Sequence, residues 1–164
     1  MTVQVLPITA SHISGFARAL DSVAREKRYL SFLEGPTSEA VRAFVLDNIE
    51  HGHPQFVAVA GDEHVVGWCD ARPNSKPIYA HSAILGMGLL PAFRGQGIGT
   101  RLIRSTLDAA RAKGLHRIEL TVREANAGAI SLYRKFGFLT EGMHMDAVCV
   151  DGSHENVLFM ALLL

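Results

Sequence analysis

The sequence predicts a mixed α/β domain, and three observations predict it. The chain has 164 residues, 48% of them hydrophobic, enough for one packed core of ordinary domain size. Apolar residues recur at helical spacing in some segments and in short extended runs in others. The order of these segments reads β-α-α-β-β-β-α-β-α-β-β, which fits a mixed sheet with helices on its faces rather than a regular doubly wound parallel sheet.

Val3 to Ile8 reads as a strand, followed by a helix carrying Ile13, Phe16, Ala17, Leu20, Val23 and Ala24 inward behind a polar Ser11 cap. Gly35-Pro36 breaks the chain. Thr37 then caps a second helix, with Glu39 in its first turn and Val41, Phe44, Val45 and Ile49 on one face. His51-Gly52-His53-Pro54 stops it. Gln55 to Ala60, the turn Gly61-Asp62 and His64 to Arg72 form a β-hairpin, which ends at Pro73 to Pro77. A strand from Tyr79 to about Leu89 contains Gly86 and Gly88, which mark either a bulge or a close approach to the backbone. The glycine-rich run Arg94-Gly95-Gln96-Gly97-Ile98-Gly99 opens a helix with Ile98, Leu102, Ile103, Leu107 and Ala110 inward, and Lys113-Gly114 closes it. His116 to Val122 is a strand and Asn126 to Phe136 a short helix. Gly137-Phe138 starts the final β segment, in which Thr140 to Val150 and Val157 to Leu163 flank the turn Asp151-Gly152-Ser153.

Lys plus Arg number 16 and Asp plus Glu number 16, for a formal charge of zero, so no global field attracts nucleic acid or an anionic membrane. The longest run without charge, Pro77 to Phe93, is interrupted by His81, Ser82 and two glycines and is too short for a membrane span. The first twenty residues carry no secretory signal pattern. Cys69 and Cys149 stand far apart with no metal spacing, so neither is given a role and a reducing compartment, the cytoplasm, is expected. His51 and His53 lack a supporting His or Cys cluster and read as surface residues, so no metal is expected.

Glycine at 95, 97 and 99 frees the backbone and removes side chains from between the amides and a ligand. The first amides of the following helix lack helical acceptors and sit at the positive end of its dipole, so the turn suits a phosphate or pyrophosphate; Arg94 adds a charge. No Lys-Ser or Lys-Thr follows, which disfavours a nucleoside-triphosphatase loop, and the GxGxxG spacing is also absent.

Leu89-Leu90-Pro91-Ala92-Phe93-Arg94-Gly95-Gln96-Gly97-Ile98-Gly99 resembles the acetyl-CoA-binding signature Q/R-x-x-G-x-G/A of the GNAT superfamily of N-acetyltransferases, through Arg94, Gly97 and Gly99. Ile118 to Val122, then Asn126, Ala129, Leu132-Tyr133, Lys135 and Gly137-Phe138, resembles that superfamily's second block. The two cover about Ala83 to Phe138. The resemblance implies a twisted, mostly antiparallel sheet of six or seven strands with helices on both faces and a splayed central strand pair. It also implies that acetyl-CoA is the cosubstrate: amides from Gln96 to Thr100, with Arg94, Gly95, Gly97, Ile98 and Gly99, would bind its pyrophosphate. Backbone at Leu89 and Leu90 would pair with pantetheine, and Asn126 and Ala129 would contact the cofactor.

Acyl transfer to an amine needs a neutral amine, a polarised thioester carbonyl and a proton for the departing thiolate. By resemblance Tyr133 supplies that proton; by spacing alone it is a core tyrosine beside Ile130 and Phe136. Asn126 fits both a helix cap and a cofactor contact. The base is less well marked, because Tyr79 to Leu90 contains no carboxylate. His81 is the imidazole of that strand and alternates with Ala83, Leu85 and Met87, so it reads as base or as core. Glu34, between the first two helices, reads as orienting a cationic amine or as a solvated carboxylate, and Asp70 at the end of its strand has the same two readings. Glu119 is left without a role.

The expected activity is transfer of acetyl to a primary amine by direct attack in a ternary complex. The acceptor classes are an amino acid or other small amine, the N-terminal amine of a protein such as a ribosomal protein, and an amine-bearing antibiotic; the resemblance of the run Arg117 to Phe138 with Glu141-Gly142 to family members acting on amino acids and small amines leans towards the first. A non-catalytic acyl-CoA-binding sensor is the rival. An exposed strand in the terminal hairpin allows a homodimer by strand pairing.

Overall fold

The computed structural model describes residues 2–164. Strand β1 (Val3–Pro7) leads through a 3-10 turn at Ala10–His12 into helix α1 (Ile13–Arg25), and α2 covers Ser38–His51. Strands β2 (Gln55–Ala60), β3 (His64–Pro73) and β4 (Ser82–Leu89) follow, then α3 (Ile98–Ala112), β5 (Arg117–Arg123), α4 (Ala127–Lys135) and the hairpin β6 (Leu139–Val150) with β7 (Ser153–Leu163). The seven strands form one sheet in the order β1-β2-β3-β4-β5-β7-β6. Every neighbouring pair is antiparallel except β4 with β5.

The two faces of the sheet bury two apolar clusters. On one face α3 packs Ile98, Leu102, Ile103, Leu107 and Ala110 onto Cys69, Ala71, Leu85, Ile118 and Leu120. On the other, α1 and α2 pack Phe16, Leu20, Val23, Val41 and Val45 onto Val57, Val59, Val65 and Trp68. Trp68 meets Phe16 edge-on, with ring centroids 5.6 Å apart, a favoured aromatic geometry.

The parallel pair is the exception that matters. β4 and β5 are in register only from Ser82 opposite Arg117 to Ile84 opposite Glu119. Beyond that point β4 runs on to Leu89 and β5 to Arg123 without pairing to each other, so the sheet opens into a wedge.

Several expectations change. The first helix is entered not through a Ser11 cap but through Thr9, whose backbone N–H donates to His12 Nδ1 at 3.0 Å and whose carbonyl accepts from His12 N–H. Ser11 only pairs its hydroxyl with that of Thr9. Thr37 does cap α2, accepting from Ala40 N–H at 3.2 Å, but Ile49 is exposed, because α2 buries just Val41, Val45 and Asn48. The third strand starts at Ser82 rather than Tyr79, since Pro77–Tyr79 forms a 3-10 turn. No bulge occurs at Gly86 or Gly88: β3 and β4 stay in register from Gly67–Leu89 to Pro73–Ala83. Glycine is required at 88 because a Cβ there would lie 2.4 Å from Trp68 Cη2. In the terminal hairpin the outer strand is β6, and two register shifts against β7 interrupt it, which shortens the flat edge open to a second chain.

Candidate active site

A cavity of about 1360 Å³ occupies the wedge between β4 and β5 and reaches both faces of the sheet. On the α3 face it is bordered by the glycine turn and by α4; on the α1/α2 face by Phe16, Leu20, Phe44, Trp68 and Asp70. Its size accommodates two molecules meeting through the sheet, since single small-ligand sites commonly span ~300 to 1,000 Å³.

The turn is built by backbone conformation. Gly95 and Gly97 have φ of 71° and 77°, a region costly for residues with a Cβ. Gly97 is the N-cap of α3, with no side-chain cap and no acidic residue in the first turn. The leading amides therefore face outward at the positive end of a 15-residue helix, a ready site for an anion. Gly99 sits tightly against Leu132 of α4, where a Cβ would come within 3.3 Å of Leu132 Cδ2. Leu89, Arg94, Gly95, Gly97, Gly99, Thr100, Asn126, Ala129 and Tyr133 all border the cavity. Leu90, Gln96 and Ile98 do not: Leu90 N–H donates to Val66 O, the Gln96 amide donates to Ala92 O, and Ile98 is buried in the core.

Arg94 departs from its expected role as a free charge for phosphate. Its guanidinium grips Glu26 in bidentate fashion at 2.9 and 2.6 Å, donates from Nε to the Leu89 carbonyl at 3.0 Å, and lies 4.6 Å over the Tyr29 ring. With its charge engaged by Glu26, Arg94 holds the turn against the segment that follows α1. Glu26 and Tyr29 carry no motif that marks this contact in the sequence.

Asn126 caps α4 through its side chain, accepting from Ala129 N–H at 3.2 Å. Tyr133 is buried, 7% exposed, and tilted against Phe138. Burial pushes its hydroxyl well above the ordinary tyrosine range, which keeps the group protonated.

Asp70 is not a solvated residue. It is 8% exposed and borders the cavity. Its neighbours in register are Gln55 on β2 and Gly86 on β4. Burial raises its carboxyl to about 7, against a smaller opposing pull from Arg72. Arg72 donates to Asp47 Oδ2 at 2.6 Å and lies 4.9 Å over the Phe44 ring. An acid inside the otherwise apolar stretch Val65 to Ala71 is the sequence signal that could have marked this position.

Two predicted site residues lie elsewhere. His81 is exposed, precedes β4, and does not border the cavity; its carbonyl accepts from His116 and Arg117 N–H groups. Eight residues of strand, at ~3.3 Å each, place it about 26 Å from Leu89. Glu34 is also exposed and outside the cavity, 3.7 Å from Arg25 Nη2. Cys69 is buried and Cys149 exposed, both free. Among the described residues no group of three or more His, Cys, Asp or Glu is placed to hold a metal ion, and no helix is long and apolar enough to cross a membrane.

Comparison with known proteins agrees with this geometry. The model of the acetyltransferase (GNAT) family matches residues 19–138. A phosphinothricin N-acetyltransferase of Streptomyces coelicolor is 29% identical over 148 residues, 88% of this chain and 86% of its own. The L-amino acid N-acetyltransferase AaaT of Escherichia coli is 31% identical over 111 residues, 67% and 68% of the two chains. A Bacillus subtilis match is named for the alanine of ribosomal protein bS18. The crystal structure of a GNAT superfamily phosphinothricin acetyltransferase from Sinorhizobium meliloti, in complex with acetyl-CoA, aligns with a TM-score of 0.92. That alignment covers 100% of this chain and 89% of the other at 20% identity.

Proposed function

The chain belongs to the GNAT family of acetyltransferases, and from that premise we propose that it moves acetyl from acetyl-CoA to the primary amine of a small acceptor carrying a carboxylate, an amino acid or a close relative. The observation that carries this reading is the cavity through the sheet. On one face it opens at a helix start whose leading amides lack helical acceptors, and on the other it widens into a largely apolar chamber with, among the described residues, one acid and one cation that has no carboxylate partner.

The residues present fit acetyl-CoA. The outward amides at the start of α3 are not matched by side chains, and β4 beyond Ile84 presents an edge that β5 leaves unpaired, where an extended arm can lie as an added strand. When bound, the thioester supplies an activated acyl group. Tyr133, kept neutral by burial, gives a proton to the leaving sulfur. The chamber on the α1/α2 face takes the acceptor. There Arg28 borders the cavity and has no carboxylate partner among the described residues, so it can receive the acceptor's carboxylate. Relatives named for L-amino acid and phosphinothricin acetylation support the same class.

Calorimetric titration with acetyl-CoA, followed by thiol release with a panel of amino acids, their amides, polyamines and alanine-terminated peptides, tests the reading. The expected result is micromolar binding, lost in Gly97→Trp of unchanged helical content, with turnover best on free amino acids. Turnover on peptides alone would assign a protein N-terminal acceptor. Binding with no turnover on any amine would favour an acyl-CoA sensor.

A further inference from the structure

We propose that Asp70 is the catalytic base, taking the proton of the acceptor's ammonium group directly onto its carboxylate; this rests on the acetyltransferase reading. Among the described residues that border the cavity it is the sole carboxylate, and no histidine or lysine accompanies it. The other ionisable side chains there are Arg28, Arg72, Arg94 and Arg123, and the phenols Tyr29 and Tyr133. Guanidinium groups do not accept protons at working pH, and a phenol is already protonated. By elimination, one group in the chamber can receive a proton from an ammonium ion.

The carboxyl is also kept free for that work. Three of the four arginines are occupied by other acids: Arg72 by Asp47, Arg94 by Glu26 and Arg123 by Glu155. Gln55, opposite Asp70 on β2, gives its carbonyl oxygen to the Asn48 amide at 2.8 Å. Its own amide nitrogen is buried without a partner and does not donate to Asp70. No hydrogen bond within the protein reaches the Asp70 carboxyl among the described residues, and its oxygens are not sealed from the cavity. On the β4 side stands Gly86, where even a Cβ would reach to 3.7 Å from Asp70 Oδ1, so the absence of a side chain leaves the acid uncovered. Trp68 fills the matching space at Gly88 one step along, and the two glycines thus do different jobs.

A buried carboxyl with no internal partner prefers a cationic visitor. Its proton affinity, raised by burial and only partly countered by Arg72, brings it within range of neutral pH, where a general base works best. The ammonium gives one proton to Asp70. The freed nitrogen lone pair forms the N–C bond to the thioester carbon as the C–S bond breaks; the sulfur takes the Tyr133 proton, and Tyr133 regains one from the nitrogen as the amide forms. Asp70 then releases its proton to water, one proton per turnover.

Asp70→Asn tests this, with acetyl-CoA titration and kcat/KM measured for a protonated amino acid and for a weakly basic amine unprotonated at assay pH. The expected result is unchanged acetyl-CoA binding and a fall of roughly 10²- to 10⁴-fold with the protonated acceptor. With the weakly basic amine the two enzymes should differ less than about 10-fold, because no proton need be removed. In the wild type kcat/KM should rise through the ionisation of the acid, and in the variant that limb should vanish. Gly86→Ala, which crowds the carboxyl without altering it, should lower kcat/KM for the protonated acceptor only. Equal losses on both amines, or none, would overturn the assignment while leaving the acetyltransferase reading intact. Wild-type protein that fails to bind acetyl-CoA would remove that reading, and the assignment with it.

Discussion

Replacing Asp70 by Asn should stabilise the protein in a pH-dependent way, and the size of the effect follows from the burial of the acid. In the folded chain the carboxyl is raised from 3.8 to about 7, chiefly by desolvation. A group whose folded pKa is raised binds more protons in the native state, so stability declines as pH rises from the unfolded value through the folded one. Below about pH 3 the acid is neutral in both states and the penalty is absent. Above about pH 8 the acid is ionised in both states and the penalty is complete; a shift of roughly three units corresponds to about 4 kcal/mol at ~1.4 kcal/mol per unit. Asn has nearly the same shape and never ionises. The stability gap between variant and wild type should therefore widen by about 4 kcal/mol from pH 4 to pH 8, or roughly 8 to 16 °C in Tm for a chain of this size. Urea unfolding of both proteins across that range measures it. Asp21, Glu141 and Glu155, whose carboxyls are held low by arginines, lose stability as pH falls in both proteins alike and cancel in the difference. Parallel curves from pH 4 to pH 8 would refute the reasoning, since they would mean that the Asp70 carboxyl is as well solvated folded as unfolded.

Gly88→Ala should cost about 1 to 3 kcal/mol of stability by forcing a methyl into Trp68, with Gly86→Ala nearly neutral; urea midpoints separate them, and equal costs would contradict the packing at 2.4 and 3.7 Å. Tyr133→Phe should lower kcat and kcat/KM together by roughly 10²- to 10⁴-fold with acetyl-CoA affinity unchanged, and full activity in steady-state assays would remove its role as acid. Arg28→Ala should raise KM for amino acids about 10-fold or more while leaving their carboxamides unaffected, a contrast read from parallel saturation curves.

Much of the fold was legible in the sequence, because strand and helix periods, the Gly-Pro breaks and the glycine turn are local properties. The order of seven strands and four helices and the position of the α3 start could be read from Val3 to Leu163 in this way, and the motif at Arg94 to Gly99 marked the turn proposed to take the cosubstrate. The end proposed to take the acceptor was not legible. From Val65 to Ala71 every residue is buried, so no alternation tells which face Asp70 takes. Only its register against Gly86, beside the wedge where β4 leaves β5, puts the carboxyl in the cavity. His81 failed for the complementary reason: alternation assigned it a face, but a 3-10 turn at Pro77–Tyr79 delays the strand to Ser82 and leaves the ring outside. Arg94 was recognisable as a motif residue, yet its partner Glu26 stands 68 positions away, and nothing local announces that pair. Periods and turns are written into neighbouring residues, whereas the environment of a charge is set by strands and loops that meet only in the folded chain.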